Sequence, residues 1–341
     1  MEVIFHIGMG KTGTSSIQQV LGANQEELAK IGVQYLGLWF NLLDPEFAGY
    51  AGQDRFFASS PEQMKTHAEN YHLALKALSE KTGNDRFIIS NESMYGYVTQ
   101  FSPFLQELKK KCTVKLVIYA RDPYSWLPSA YNQWALYHKT MPGPVPSYQK
   151  ATPAMLATYS GLRLWAKDHL DIIELRHLKR GMDVVSDFSD LLSLFLPPPE
   201  KNTLERKDPA ENAIRAVFNE TVGGPVLPTE FDRITGNVEL SASPDLEKLV
   251  SDMFDYGATS DMVAGQSALF DEISSIYGVD IRQDKQKEHA APDVEAFRNR
   301  VLEHLMTLTL QQARRVTELE TTVRQLRRQV AKLNQTTAKS A

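Results

Sequence analysis

The stretch VIFHIGMGKTGTSSIQ, residues 3–18, constrains this chain more than any other. An apolar run from Val3 to Ile7 stops at Gly8. Gly8, Gly10 and Gly13 follow, interleaved with Lys11 and Thr12, and the turn ends at Thr14. Ser15 and Ser16 open a segment with helical spacing through about Leu28. The order is strand, glycine-rich turn, helix. Glycine lets backbone N–H groups approach an anion closely and accepts positive φ. The first amides of a helix have no intrahelical partner and sit at the positive end of its dipole. The expected occupant is a phosphate or sulfate group. Lys11 adds a full positive charge, and Thr12, Thr14, Ser15 and Ser16 add hydroxyl donors.

Gly10-Lys11-Thr12 matches the end of the triphosphate-binding loop G-x-x-x-x-G-K-[ST]. Its first glycine would then fall on Phe5, inside the strand; counted from Gly8 instead, Thr14 falls where the lysine belongs. The lysine of this loop therefore lies in its middle. That register resembles the sulfotransferases that use PAPS (3′-phosphoadenosine-5′-phosphosulfate). It is most similar to the bacterial carbohydrate sulfotransferases, whose loop reads H-I-G-x-x-K-T-G-T-[ST]-S; here the residues are His6 through Ser16. Gly10 stands where that family usually has proline. Proline would pre-set φ, so a looser loop is expected here.

A second motif runs from Tyr119 to Gln133. Arg121 at a strand end is followed eight residues on by Ser129, which resembles the 3′-phosphate motif of the same family. The resemblance implies that Gly10, Lys11, Thr12, Gly13, Thr14, Ser15 and Ser16 hold the 5′-phosphosulfate and that Arg121 and Ser129 hold the 3′-phosphate. Lys11 would neutralise charge on the leaving phosphate of PAP, the product. Glu92, just after the strand at 86–90, would be the general base for an acceptor hydroxyl; His6 and His138 are rival bases. Tyr95 and Arg55 are further candidates for contact with acceptor or cofactor. The chemistry requires no metal, and the eight histidines form no H-x-x-x-H pair. By resemblance the acceptor is a carbohydrate or glycolipid.

Further along, strand patterns at 86–90, 114–120 and 171–176 alternate with helical patterns beginning at Ser60-Pro61 and near 103, 123, 153 and 183. Such alternation predicts an α/β fold, a P-loop-like parallel sheet flanked by helices and joined by right-handed crossovers. Ligands bind at the carboxyl ends of such strands, and Lys11, Glu92 and Arg121 each lie just past one. Residues 33–60 read as a long, aromatic-rich loop, either packed on the core or serving as a lid over the acceptor. Residues 141–152 read as a proline-rich loop. Loops are expected at Gly223-Gly224-Pro225 and around 232–244 in an otherwise helical remainder.

The chain has 341 residues, enough for one large core or a domain with an appendage. The expected division is a sulfotransferase domain over 1–298, with its motifs in 1–195, a coiled-coil helix over 299–334 and a flexible tail over 335–341. A net charge of −5 offers no basic field for nucleic acid. Cys112 is the only cysteine, so no intrachain disulfide forms and a cytoplasmic setting is expected. No apolar run approaches the roughly 18 residues that span a bilayer, and the first residues form a strand rather than a basic leader. In the tail, Leu302, Leu305, Val316, Leu319, Val323, Leu326, Val330 and Leu333 alternate at spacings of three and four. That is a heptad pattern for a homodimer or for docking to a partner, or for a long helix packed on its own domain. Two other functions remain open: a P-loop-type nucleotide kinase, and a non-catalytic nucleotide-fold scaffold acting through its coiled coil.

Overall fold

The computed structural model describes residues 1–197, 209–220, 222–234, 246–282 and 293–340. The chain divides into two units. One holds Met1–Tyr131, Gln149–Arg206 and Tyr256–His289; the other holds Asn132–Tyr148, Lys207–Asp255 and Ala290–Ala341.

Among the described residues the first unit is built on five strands: β1 (Glu2–His6), β2 (Val33–Tyr35), β3 (Arg86–Ser90), β4 (Thr113–Arg121) and β5 (Ile173–Leu178). Their order is β2-β3-β1-β4-β5, and every pairing is parallel. The architecture is α/β, with helices flanking the sheet. Both faces are covered, so the inner strands read as continuous apolar runs rather than alternating ones. Side chains still alternate in direction. Ile4 of β1 joins Ile88 and Val117 under two helices, α1 (Thr14–Ala23) and, later in the chain, Val184–Leu192. Phe5 points the other way and meets Phe101 edge-on, with ring centroids 5.4 Å apart.

Local chemistry explains several boundaries. Ser60 caps α2 (Pro61–Thr82) in a reciprocal box with Gln63, proline occupies its first turn, and Gly83 closes it with φ of 78°. Asn24 breaks the predicted helix 15–28 into α1 and Gln25–Lys30. Asp122 starts α3 (Pro123–Tyr131) by accepting from the Ser125 amide at 3.0 Å. The helical path then widens into a π turn over Asn132–Tyr137, in the second unit.

Two expected loops contain helix. Within 33–60, Gly49–Phe57 is helical, and most of its aromatics serve the core. Phe40 and Phe56 stack at 4.1 Å and, with Phe57, surround Phe101; all four are buried. Trp39 and Phe47 are half-buried and Tyr50 is exposed; Trp39 and Tyr50 meet edge-on with ring centroids 5.2 Å apart. The glycines and Asp44-Pro45 gave the segment a loop composition, but long-range aromatic contacts order it. Residues 148–156 of the expected 141–152 loop and beyond form another helix, Tyr148–Leu156.

In the second unit the buried Lys139 donates to the carbonyls of Asn219 and Val222 at the end of the helix Pro209–Glu220. The turn at Gly223-Gly224-Pro225 follows, while much of the predicted 232–244 loop lies outside the described residues. The last helix, Val294–Ser340, is longer at both ends than the predicted 299–334. Among the described residues no helix is long and apolar enough to cross a membrane.

The aromatic layer gives a direct test. Phe40→Ala should lower stability by about 3–5 kcal/mol in urea unfolding, whereas Tyr50→Ala should stay within about 0.5 kcal/mol. Equal costs would mean that the layer is not the core.

Candidate active site

The glycine-rich turn is held from below by β4. Beyond the end of β1 the chain stays extended, with the Ile7 amide donating to Val117 O at 3.0 Å and the Met9 amide to Tyr119 O at 3.1 Å. Gly8 suits this close approach: a Cβ there would lie 3.2 Å from Thr12 Oγ1, 3.3 Å from His6 Nε2 and 3.4 Å from the Tyr119 amide. The Gly10 carbonyl accepts from Trp126 Nε1, in α3, at 2.8 Å. The slack expected at Gly10 therefore meets a specific restraint. Thr12 closes the turn by donating from Oγ1 to Met9 O.

Lys11 and Gly13 have φ of 66° and 86°, and Thr12 between them is not left-handed. Alternating hand turns successive N–H groups into one concavity, a nest for an anion. A left-handed lysine is strained by the order of 1 kcal/mol or more. Gly13 cannot be replaced without a shift, because a Cβ would come within 2.6 Å of Val184 Cγ1. Gly13 caps α1 without a side-chain bond, and no acidic residue lies in the first turn. Thr14 Oγ1 is buried there with no hydrogen-bond partner. Burying an unpaired hydroxyl is costly, and an anion at the helix start would satisfy it. Thr12 is buried as well, Gly10, Lys11, Gly13 and Ser16 are half-buried, and Ser15 is exposed.

Arg121 ends β4 next to this turn. Its Nε donates to Ser125 Oγ at 3.0 Å, and its carbonyl accepts from Tyr159 at 2.6 Å. Ser129 lies four residues beyond Ser125 in α3, on the same helix face, and is half-buried. The Ser125 bond thus aligns Arg121 with the face that carries Ser129. The chain leaves β1 toward β2 and β3 on one side of the sheet and leaves β4 toward β5 on the other. The anion nest and Arg121 flank that switch point, the usual ligand crevice of an open parallel sheet.

Glu92 follows β3 in the 3₁₀ turn Glu92–Tyr97, which Asn91 caps. The Asn91 amide donates to His6 O at 2.9 Å, tying this turn to the end of β1. Gln18, one helical turn past Thr14, donates from Nε2 to Glu92 Oε2 at 3.1 Å and to Ser90 O at 2.9 Å. One side chain of α1 thus fixes the carboxylate relative to the nest. Tyr35 is buried nearby with its hydroxyl unpartnered, and burial, with the Glu92 charge adding, pushes it up to about 12.

The rival bases are accounted for differently. His6 is fully buried, shares a 2.8 Å hydrogen bond with Ser90 Oγ, and packs on Tyr119 and Phe188. Burial lowers it to about 3, so it is neutral at physiological pH. His138 lies in the second unit, and burial lowers it too. Tyr95 is a core residue, with its hydroxyl on Thr158 O and its ring against Gly161. Arg55 is exposed and donates to Glu46 O. Neither is aimed at the nest by these bonds. Among the described residues no three His, Cys, Asp or Glu side chains gather as a metal site requires.

Sequence reasoning missed Gln18, Ser125 and Trp126. The one local signal was spacing, with Gln18 one turn after Thr14 and Ser125 one turn before Ser129. Compared with known proteins, the chain matches no family model, no curated protein and no solved structure.

The buried histidine predicts a pH effect. Unfolded, His6 takes a proton near pH 6.5; folded, it does so only near 3. Between these values only the unfolded chain gains the proton, so stability falls with falling pH, by at most about 1.4 kcal/mol per pH unit. Burial depresses His169 as well, so the check is a difference: urea unfolding of His6→Asn should show a shallower slope below pH 6.5 than the parent protein. Identical slopes would exclude His6 as the source.

Proposed function

We propose that this chain is a PAPS-dependent O-sulfotransferase acting on a hydroxyl of a carbohydrate or glycolipid. The observation that carries the reading is the convergence of two anion-binding elements on neighbouring strand ends. The left-handed nest with Lys11 and the unpartnered Thr14 hydroxyl flanks one side of the switch point, and Arg121 with the Ser129 face flanks the other. Such a pair suits a nucleotide bearing phosphates at two separate positions. The mid-loop register of Lys11 and the eight-residue Arg121–Ser129 interval support the same donor by resemblance.

When bound, PAPS supplies a sulfuryl group attached to a phosphate leaving group. The amides of residues 10–16 and the Thr14 hydroxyl would bind the 5′ end, and Arg121 with Ser129 the 3′-phosphate. Lys11 would offset the negative charge that develops on the bridging oxygen, as a fixed charge in a preorganised site. Glu92 would accept the proton of the acceptor hydroxyl as its oxygen bonds to sulfur, leaving a sulfate ester and PAP. Gln18 holds Glu92 for that task and does not itself react.

Calorimetric titration with PAP, and separately with ATP and Mg²⁺, tests the donor. The expected result is Mg²⁺-independent PAP binding that Arg121→Ala weakens tenfold or more, about 1.4 kcal/mol. Absence of PAP binding would overturn the reading, and Mg²⁺-ATP binding in its place would favour a nucleotide kinase. Glu92→Gln should keep PAP affinity within about twofold and lower sulfuryl transfer by about 10²–10⁴. An unchanged rate would remove Glu92 as the base.

A further inference from the structure

The helix Val294–Ser340 carries two apolar faces. Phe297, Val301, His304 and Leu308 recur at spacings of four, three and four and are buried or half-buried. Phe297 packs against Phe254 with ring centroids 5.1 Å apart. This face belongs to the helix's own unit.

The second face is turned to solvent. Leu302, Leu305, Val316, Leu319, Val323, Leu326 and Val330 are all between 43% and 58% exposed. From Arg315 to Val330 every residue is exposed. A stretch standing this way gains nothing from packing, although most helical stability in proteins comes from packing an apolar face. Seven exposed aliphatic side chains in one stripe need a cover.

We propose that the cover is a second copy of this chain, joined as a parallel, in-register, two-stranded coiled coil over residues 302–333. In heptad terms the a positions are Leu302, Thr309, Val316, Val323 and Val330, and the d positions are Leu305, Gln312, Leu319, Leu326 and Leu333. A β-branched residue at a with leucine at d selects two parallel strands. The three Val/Leu repeats at the carboxyl end follow that rule without exception. The charges are self-complementary. Arg315 at g faces Glu320 at the following e of the other copy, and two-fold symmetry makes the pair twice. The next such pair, Thr322 with Arg327, brings no like charges together. A second copy of this same sequence supplies both the acid and the base at these positions, with Glu320 also 3.5 Å from Arg324 of its own helix. Thr309 and Gln312 fix the register, because a slip of one heptad sets Thr309 against Val316 and Gln312 against Leu319. The paired segment would be roughly 48 Å long, and its four and a half heptads exceed the three to four that sustain such a coil. The assembly is independent of the donor chemistry proposed above.

Light scattering on the full-length chain tests the proposal. The expected mass is that of a dimer at the higher concentrations, falling to a monomer in the double variant Leu319→Lys/Leu326→Lys. Near-ultraviolet circular dichroism of that variant should match the parent, since both substitutions are at exposed positions. Orientation is read separately from Val316→Cys in a Cys112→Ala background. Parallel copies bring the two a-position thiols together, so mild oxidation should yield a covalent dimer. A monomeric parent chain, an assembly larger than two, or a dimer that survives the double substitution would each overturn the proposal. Failure of the Val316→Cys cross-link would overturn its parallel register.

Discussion

The site depends on one set of backbone hydrogen bonds, those by which the chain continues along β4 after β1 has ended. Ile7 and Met9 donate to Val117 and Tyr119 beyond the last residue of the strand. This carries the glycine-rich turn up to the level of Arg121 and brings Gly10 under the Trp126 indole. Without that extension the nest at Lys11 and the guanidinium at Arg121 would belong to separate loops. With it, two cationic groups flank one crevice, and the parallel arrangement of β1 and β4 keeps both at the carboxyl edge.

The same few residues support the turn and shape the candidate site. Val184 abuts Gly13 because its helix, Val184–Leu192, is held to β4 and β5 by Asp187, which accepts from Tyr119 at 2.7 Å and from Arg176 Nε at 2.9 Å. His6 stays neutral under the turn, so it adds no charge there. Ser90 joins both sides, its hydroxyl to His6 and its carbonyl to Gln18. The rim is therefore polar and partly charged above a neutral His6 and the apolar side chains of β1 and β4. The left-handed Lys11 and the unpartnered Thr14 hydroxyl are unfavourable features of the rim, and an anion would satisfy the hydroxyl.

Much of the sheet was legible because parallel strands covered on both faces are short apolar runs. The runs at 3–7, 86–90 and 114–120 match β1, β3 and β4 to within one residue at either end. Caps were legible for a similar reason, since Ser60-Pro61 and Asp122-Pro123 act within three or four residues. The segment 33–60 was not. Its glycines and Asp44-Pro45 favour turns locally, and the contacts that order Gly49–Phe57 as a helix come from Phe101 and Phe104, far away in the chain.

By itself, the sequence determined where an anion nest can form, because glycine spacing, a mid-loop lysine and an uncapped helix start are local properties of backbone stereochemistry. It also determined the heptad stripe of the last helix, because periodicity is a property of the sequence alone. Only the tertiary structure decided which side chains meet the nest. Gln18 reaches Glu92 across 74 positions, and Trp126 reaches Gly10 across 116. The buried hydrogen bond that makes His6 a supporting residue joins it to Ser90, 84 positions away. Such contacts depend on the order of strands in the sheet, which no local pattern records.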